Sequence, residues 1–192
     1  MLELDTDILL WINGHSAYWL DTLMWAVSRA TTWIPLYCIL LGIIIYKYRN
    51  WKMVLLILAG FAIAVGLSDF TTSGIIKPLV CRLRPTHEPA LEGMVRIVNG
   101  YTGGLYSFCS SHAANTMAVG LLFSLLFKHK TATAALMFWV ALNCYSRMYL
   151  GVHYPSDIIV GLAVGALWSS LTYWALSHWL PADGAATRQG GS

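Results

Sequence analysis

Five long apolar runs, roughly 23–46, 53–76, 112–127, 131–149 and 157–179, decide what this chain can become. About 20 mostly apolar residues in one helix cross the ~30 Å of hydrocarbon in a bilayer, and a helix satisfies its backbone polar groups without water. Hydrophobic residues make up 57% of the chain and charged ones 11%, with a mean hydropathy of +0.60, a balance that belongs to a helical membrane protein. The expected fold is therefore all-α: an integral membrane helical bundle of about five transmembrane helices, one domain over residues 21–180. Residues 1–20 mix Asp5 and Asp7 with Leu9, Leu10 and Trp11, which predicts an amphipathic helix lying in the interface. No basic stretch precedes the first apolar run, which argues against a cleaved signal peptide. Residues 181–192 are small and polar and are expected to be a disordered tail.

Orientation follows from the short basic turns. Lys47, Arg49 and Lys52 lie in one, Lys128 and Lys130 in another, and the excess of Lys and Arg on cytoplasmic loops places both inside. By alternation, residues 77–111 and the turn at 146–154 face outward. The net charge of +3 is small and no basic patch interleaves with aromatics, so no nucleic-acid partner is expected. The partners are the bilayer and whatever it dissolves.

Three polar clusters interrupt the apolar background: Lys77 to Pro85, Ser107 to Asn115 and Ser146 to Asp157. Ionisable groups beside membrane spans are expensive to bury and mark functional sites by default. Lys77 and Arg84 offer a point charge and a planar fork to phosphate oxygens, although basic residues at helix ends also serve as interfacial anchors. Arg82 in the same run reads equally as a structural group. Ser110, Ser111 and His112 stand where an apolar helix begins, so a serine N-cap and free N–H groups form an anion site. An ordinary cap beside a structural histidine would look the same.

Arg147 closes one span, and His153 and Asp157 are four residues apart, which can bring a carboxylate to one imidazole nitrogen and leave the other to attack. A metal held by His112, His153 and Asp157 is the competing reading, opposed by the neighbouring cations. Asp69, inside the second run, reads as an interhelical hydrogen-bonding group. The four cysteines show no metal-ligand spacing. A disulfide between Cys81 and Cys109 stays open if their clusters meet outside the cytoplasm. About 35 residues separate the second and third runs, too many for a simple turn, and suit an irregular cap over a site.

With these elements in hand, the chain resembles the type 2 phosphatidic acid phosphatase superfamily, whose pattern is K-x6-R-P, P-S-G-H and S-R-x5-H-x3-D. Lys77, Arg84 and Pro85 match the first element, and Ser146, Arg147, His153 and Asp157 match the third. The second keeps Ser110 and His112 but has Cys109 for Pro and Ser111 for Gly. The resemblance spans about residues 53–179. It implies His153 as nucleophile through a phosphohistidine, Asp157 as its orienting partner and His112 as acid and then base. Lys77, Arg84, Arg147, Ser110 and the Ser111 N–H would hold the phosphate. No metal or other cofactor is expected, since three fixed cations can replace one. The implied activity is hydrolysis of a membrane lipid phosphate at the outer face of a bacterial inner membrane, with undecaprenyl diphosphate, phosphatidylglycerol phosphate, phosphatidic acid and lipid A phosphates as candidates. Transfer of the phosphoryl group to a second lipid, or lipid binding or flipping without catalysis, are the rival readings.

Overall fold

The computed structural model describes residues 2–180, and the expected tail at 181–192 lies outside them. Two helices, α1 (Leu2–Gly14) and α2 (Tyr18–Ser28), precede α3 (Ile34–Tyr48). α4 (Trp51–Asp69) runs on through π-helical turns at Phe70–Ile76 into α5 (Lys77–Val80), making one continuous rod. A long irregular loop leads to α6 (Ser111–Phe127), α7 (Lys130–Tyr149) and α8 (Pro155–Ser177). Among the described residues there are no named strands, only an isolated bridge between Leu83 and Tyr106.

The first apolar run does not form one helix from residue 23. α2 stops at Ser28, Arg29 is extended (φ −90°, ψ 125°), and a 3-10 turn at Ala30–Trp33 leads into α3. Pro35 sits in the first turn of α3, where its missing N–H costs nothing, so the apolar run is cut at Arg29. The amphipathic N-terminal region is correspondingly two helices.

Ala30–Tyr48, Trp51–Val80 and Pro155–Ser177 are long and apolar enough to cross a membrane, whereas α6 is an apolar helix of shorter length. α6 packs against α4, α7 and α8 and meets protein on most sides, and α7 turns Asn143, Ser146 and Arg147 into the interior. Helices so enclosed need not be apolar throughout. Gly161 and Gly165 let α8 close on α6: a Cβ on the first would strike the Ser110 carbonyl, and one on the second the Ala114 carbonyl. Small residues at this spacing permit backbone-to-backbone approach. Here they bring the start of α6 beside the start of α8.

The basic turns lie at the other end. Lys47 Nζ donates to the Leu126 carbonyl at 3.2 Å and sits over the Phe127 ring at 4.5 Å, tying the end of α3 to the end of α6. At the opposite end the long loop is fastened to the N-terminal helices. Asn13 Nδ2 donates to the Arg96 and Tyr149 carbonyls at 3.0 and 2.8 Å, and Arg96 pairs with Asp21 at 2.8 Å.

Candidate active site

α6 begins at Ser111 because Ser110 caps it: the Ser110 hydroxyl accepts the Ala113 N–H at 3.4 Å, and the backbone at Ser110 is extended. The Ser110 N–H in turn donates to the Asp157 backbone carbonyl at 3.0 Å. That bond joins the first turns of α6 and α8.

Asp157 is the third residue of α8 and fully buried. Its Oδ2 accepts the Tyr154 N–H at 2.9 Å, a capping contact of the kind acidic residues make in a helix's first turn, and lies 3.3 Å from His153 Nδ1. A carboxylate only accepts, so Nδ1 carries the proton and Nε2 keeps its lone pair. His153 lies in the turn between α7 and α8. Burial, then Arg147, Arg84 and Lys77, hold its pKa well below the ordinary imidazole range. The ring is therefore neutral near pH 7.

Three cations surround this pair. Arg84 is buried; its Nε donates to the Tyr106 carbonyl at 3.1 Å and its Nη1 reaches the Val152 carbonyl at 3.5 Å. Burial and the nearby Arg147 guanidinium push its pKa below the usual value. Gly103 arches over this guanidinium with φ +70°, where a Cβ would collide with it. Arg147 is 2% exposed, with Nη1 on the Ser28 hydroxyl and Nη2 on the Tyr101 hydroxyl at 3.0 Å. Its Nε, also buried, has no partner among the described residues. Lys77 Nζ donates to Ser111 Oγ at 3.0 Å.

None of Lys77, Arg84 and Arg147 forms an ion pair with a carboxylate among the described residues. Buried charge without a counter-charge is unfavourable by several kcal/mol in order of magnitude, and an anion entering this space removes the penalty. All eight residues singled out in the sequence meet here, with His112 near enough for its charge to act on His153.

Ser111 does more than offer an N–H. Its hydroxyl lies 2.8 Å from Ser73 Oγ and 3.1 Å from Thr72 Oγ1, besides receiving Lys77. Thr72 Oγ1 and Lys77 Nζ both donate to the Ser111 hydroxyl, which leaves its own proton free for Ser73 Oγ. The π turns of the rod place both hydroxyls on Ser111. Asp69 accepts from Asn115 Nδ2 at 3.2 Å, an interhelical bond as expected.

Cys109 is buried and Cys81 exposed, and both are free thiols with no disulfide between them. Burial pushes the Cys109 thiol pKa up, so this departure from the motif introduces a packing group. Ser28, Tyr101 and Asp5 were not anticipated: the first two seat Arg147, and Asp5 bonds Arg82 at 2.7 Å. None carries a local sequence signal for its contact.

Fold and site together define a membrane helical protein with a cationic pocket built around an oriented histidine. A family model described as the PAP2 superfamily matches residues 54–180. Curated lipid A 4′-phosphatases of Bacteroides thetaiotaomicron and Porphyromonas gingivalis are each 35% identical, over 182 and 187 residues, covering 94% and 95% of this chain and 80% and 79% of theirs. A crystal structure of a transmembrane PAP2-type phosphatidylglycerolphosphate phosphatase from Bacillus subtilis has the same fold, with a TM-score of 0.70, 22% identity and coverage of 94% of this chain and 88% of that one. The chain belongs to the PAP2 superfamily and is a membrane phosphatase within it.

Proposed function

We propose that this protein hydrolyses the phosphomonoester of a glycolipid of the lipid A type, at the 4′ position, on the outer face of a bacterial inner membrane. The observation that carries an anionic substrate is the trio Lys77, Arg84 and Arg147, without a carboxylate among them and with a buried Nε left over on Arg147. The choice of lipid rests on the two lipid A 4′-phosphatases that resemble this chain over nearly its whole length. The outward placement rests on the basic turns, which lie at the end of the bundle away from the pocket.

In this reading the three cations, the Ser110 hydroxyl and the Ser111 N–H hold the phosphate oxygens. His153 Nε2 attacks phosphorus in line with the ester oxygen. The P–N bond forms as the P–O bond to the lipid breaks, and His112 gives its proton to the leaving oxygen. Asp157 accepts the Nδ1–H throughout and stabilises the positive charge that grows on the ring. Water then attacks phosphorus while His112 takes its proton, the P–N bond breaks, and inorganic phosphate leaves. Charge neutralisation by fixed guanidinium and ammonium groups supplies what a metal supplies elsewhere.

The test is phosphate release by the purified protein in detergent and EDTA, with no acceptor lipid. It is offered lipid A carrying only the 4′- or only the 1-phosphate, phosphatidylglycerol phosphate, phosphatidic acid and undecaprenyl diphosphate. Preference for the 4′-phosphate is expected, with acid-labile phosphate trapped on His153. Activity confined to another lipid refutes the substrate, and loss in EDTA restored by one divalent ion refutes the mechanism.

A further inference from the structure

Arg82 differs from the other cations of the pocket. Its Nη1 donates to Ser156 Oγ at 2.7 Å and Asp157 Oδ1 at 3.1 Å, and its Nη2 to Asp5 Oδ2 at 2.7 Å. Its guanidinium lies 3.7 Å from the centre of the Tyr154 ring. Two carboxylates, a hydroxyl and an aromatic face thus fix one planar group. With both charges of Asp5 and Asp157 upon it, Arg82 has little attraction left for a phosphate.

Asp5 is buried, and its other contacts lead to the same place: Oδ1 accepts the Ser156 N–H at 2.8 Å and Oδ2 the Ser156 hydroxyl at 2.5 Å. It therefore grips the first turn of α8 and Arg82 at once. Asp157, for its part, has both backbone and imidazole on Oδ2. Arg82 Nη1 is on Oδ1, and the Ser107 hydroxyl also hydrogen-bonds this carboxylate. Of the two only Arg82 brings a charge, so it is the stronger restraint on the rotation of the carboxylate that faces His153.

We propose that Arg82, seated by Asp5 of α1, is a positioning residue for the Asp157–His153 pair, so that α1 belongs to the catalytic unit and is not only an interfacial anchor. This rests on the roles given above to Asp157 and His153. Yet Asp5 lies well outside the segment matched by the family model, residues 54–180. The chain of contact runs Asp5, Arg82, Asp157, His153, phosphorus. Each link from Asp5 to His153 is a hydrogen bond that a neutral side chain of similar size weakens without emptying its space.

The test uses the full chain in detergent and the variants Asp5→Asn, Arg82→Gln, the double variant and Arg82→Lys, assayed on the lipid phosphate the parent hydrolyses. Second-layer partners of imidazoles at metal centres are worth about 10- to 100-fold, and a kcat loss of that size is expected for Arg82→Gln, with KM within about twofold. The double variant should lose no more than Arg82→Gln alone, because groups acting through one another do not add. Lysine should restore only part, since it cannot serve two carboxylates in one plane.

The inhibition constant of inorganic phosphate should stay within about twofold of the parent value, reporting a folded cation pocket. Nitrogen-15 histidine NMR should show the His153 Nδ1–H form in the parent and a mixture of tautomers in Arg82→Gln. Unchanged kcat, additive losses, a parallel weakening of phosphate inhibition that makes Arg82 a phosphate ligand, or an unaltered His153 tautomer would each overturn the proposal. A parent that hydrolyses no lipid phosphate would sink the functional reading instead, and the NMR comparison would still decide the place of Arg82.

Discussion

Asp157→Asn is the sharpest test of the site because every partner of this carboxylate is a donor. Oδ2 takes the Tyr154 N–H at 2.9 Å and faces His153 Nδ1 at 3.3 Å, while Oδ1 takes Arg82 Nη1 at 3.1 Å. An amide has one acceptor oxygen and one donor nitrogen. If its nitrogen replaces Oδ2, it opposes the Tyr154 N–H and asks His153 Nδ1 to accept, which moves the ring proton to Nε2 and removes the attacking lone pair. If its nitrogen replaces Oδ1, it opposes a guanidinium whose charge has lost one of two balancing carboxylates. Either way one hydrogen bond to a charged group is lost, worth about 1.5–3 kcal/mol. For a chain of this size that lowers the thermal midpoint by about 3–12 °C.

The kinetic loss should be larger than the loss of stability. The same substitution in a hydrolase triad costs about 10,000-fold in kcat, or about 5.5 kcal/mol at 1.36 kcal/mol per decade. A kcat reduced about 1,000- to 10,000-fold is expected here, measured as phosphate release under saturating lipid, with inhibition by inorganic phosphate preserved. A kcat within tenfold of the parent would refute the argument that this carboxylate orients and stabilises His153.

Arg84→Lys and Arg147→Lys should each lower kcat/KM by at least about 10-fold despite the conserved charge, because a lysine cannot reproduce a fork that meets fixed protein partners and phosphate together. Arg49→Lys, at the far end of the bundle, should be neutral in the same assay. The pH dependence follows from His153, whose pKa in the folded protein lies well below 6.5. Between the two values the unfolded chain binds the extra proton, so this group makes stability rise with pH and fall as pH drops below about 6.5. Thermal midpoints of the parent and of His153→Asn should diverge less at acid pH than at pH 7.5, and a constant difference would contradict the depressed pKa. With native cysteines replaced, an impermeant maleimide applied to intact cells should label Glu92→Cys and spare Arg49→Cys. The reverse result moves the pocket to the cytoplasmic face.

What could be read in the sequence was whatever depends on local contrast. Lys77, Arg84, His112, Arg147, His153 and Asp157 stand out because ionisable groups are rare beside membrane-length apolar runs, and the four-residue step from His153 to Asp157 already predicts their contact. Helix ends were harder. One run read from residue 23 passes over the polar stretch Ser28, Arg29, Thr31 and Thr32, and the extended backbone of Arg29 is what ends α2 there. The polar run Thr71, Thr72 and Ser73 marks the place of the π turns at Phe70–Ile76 but not their geometry, so the convergence of Thr72 and Ser73 on Ser111 was not legible, and Ser111 read as a plain N–H donor.

Long-range pairing explains the remaining gap. Asp5 and Arg82 are 77 residues apart, and Ser28 and Arg147 are 119 apart, separations for which no periodicity gives a rule. Asp5 shares an acidic N-terminal run with Glu3 and Asp7, and composition treats the three alike. Burial separates them, since Asp5 is 8% exposed and Glu3 is on the surface. A buried carboxylate must find donors, and those it finds lie on the first turn of α8 and on Arg82. The acid that looked like one more polar group on an interfacial helix is thereby the one that fastens that helix to the pocket.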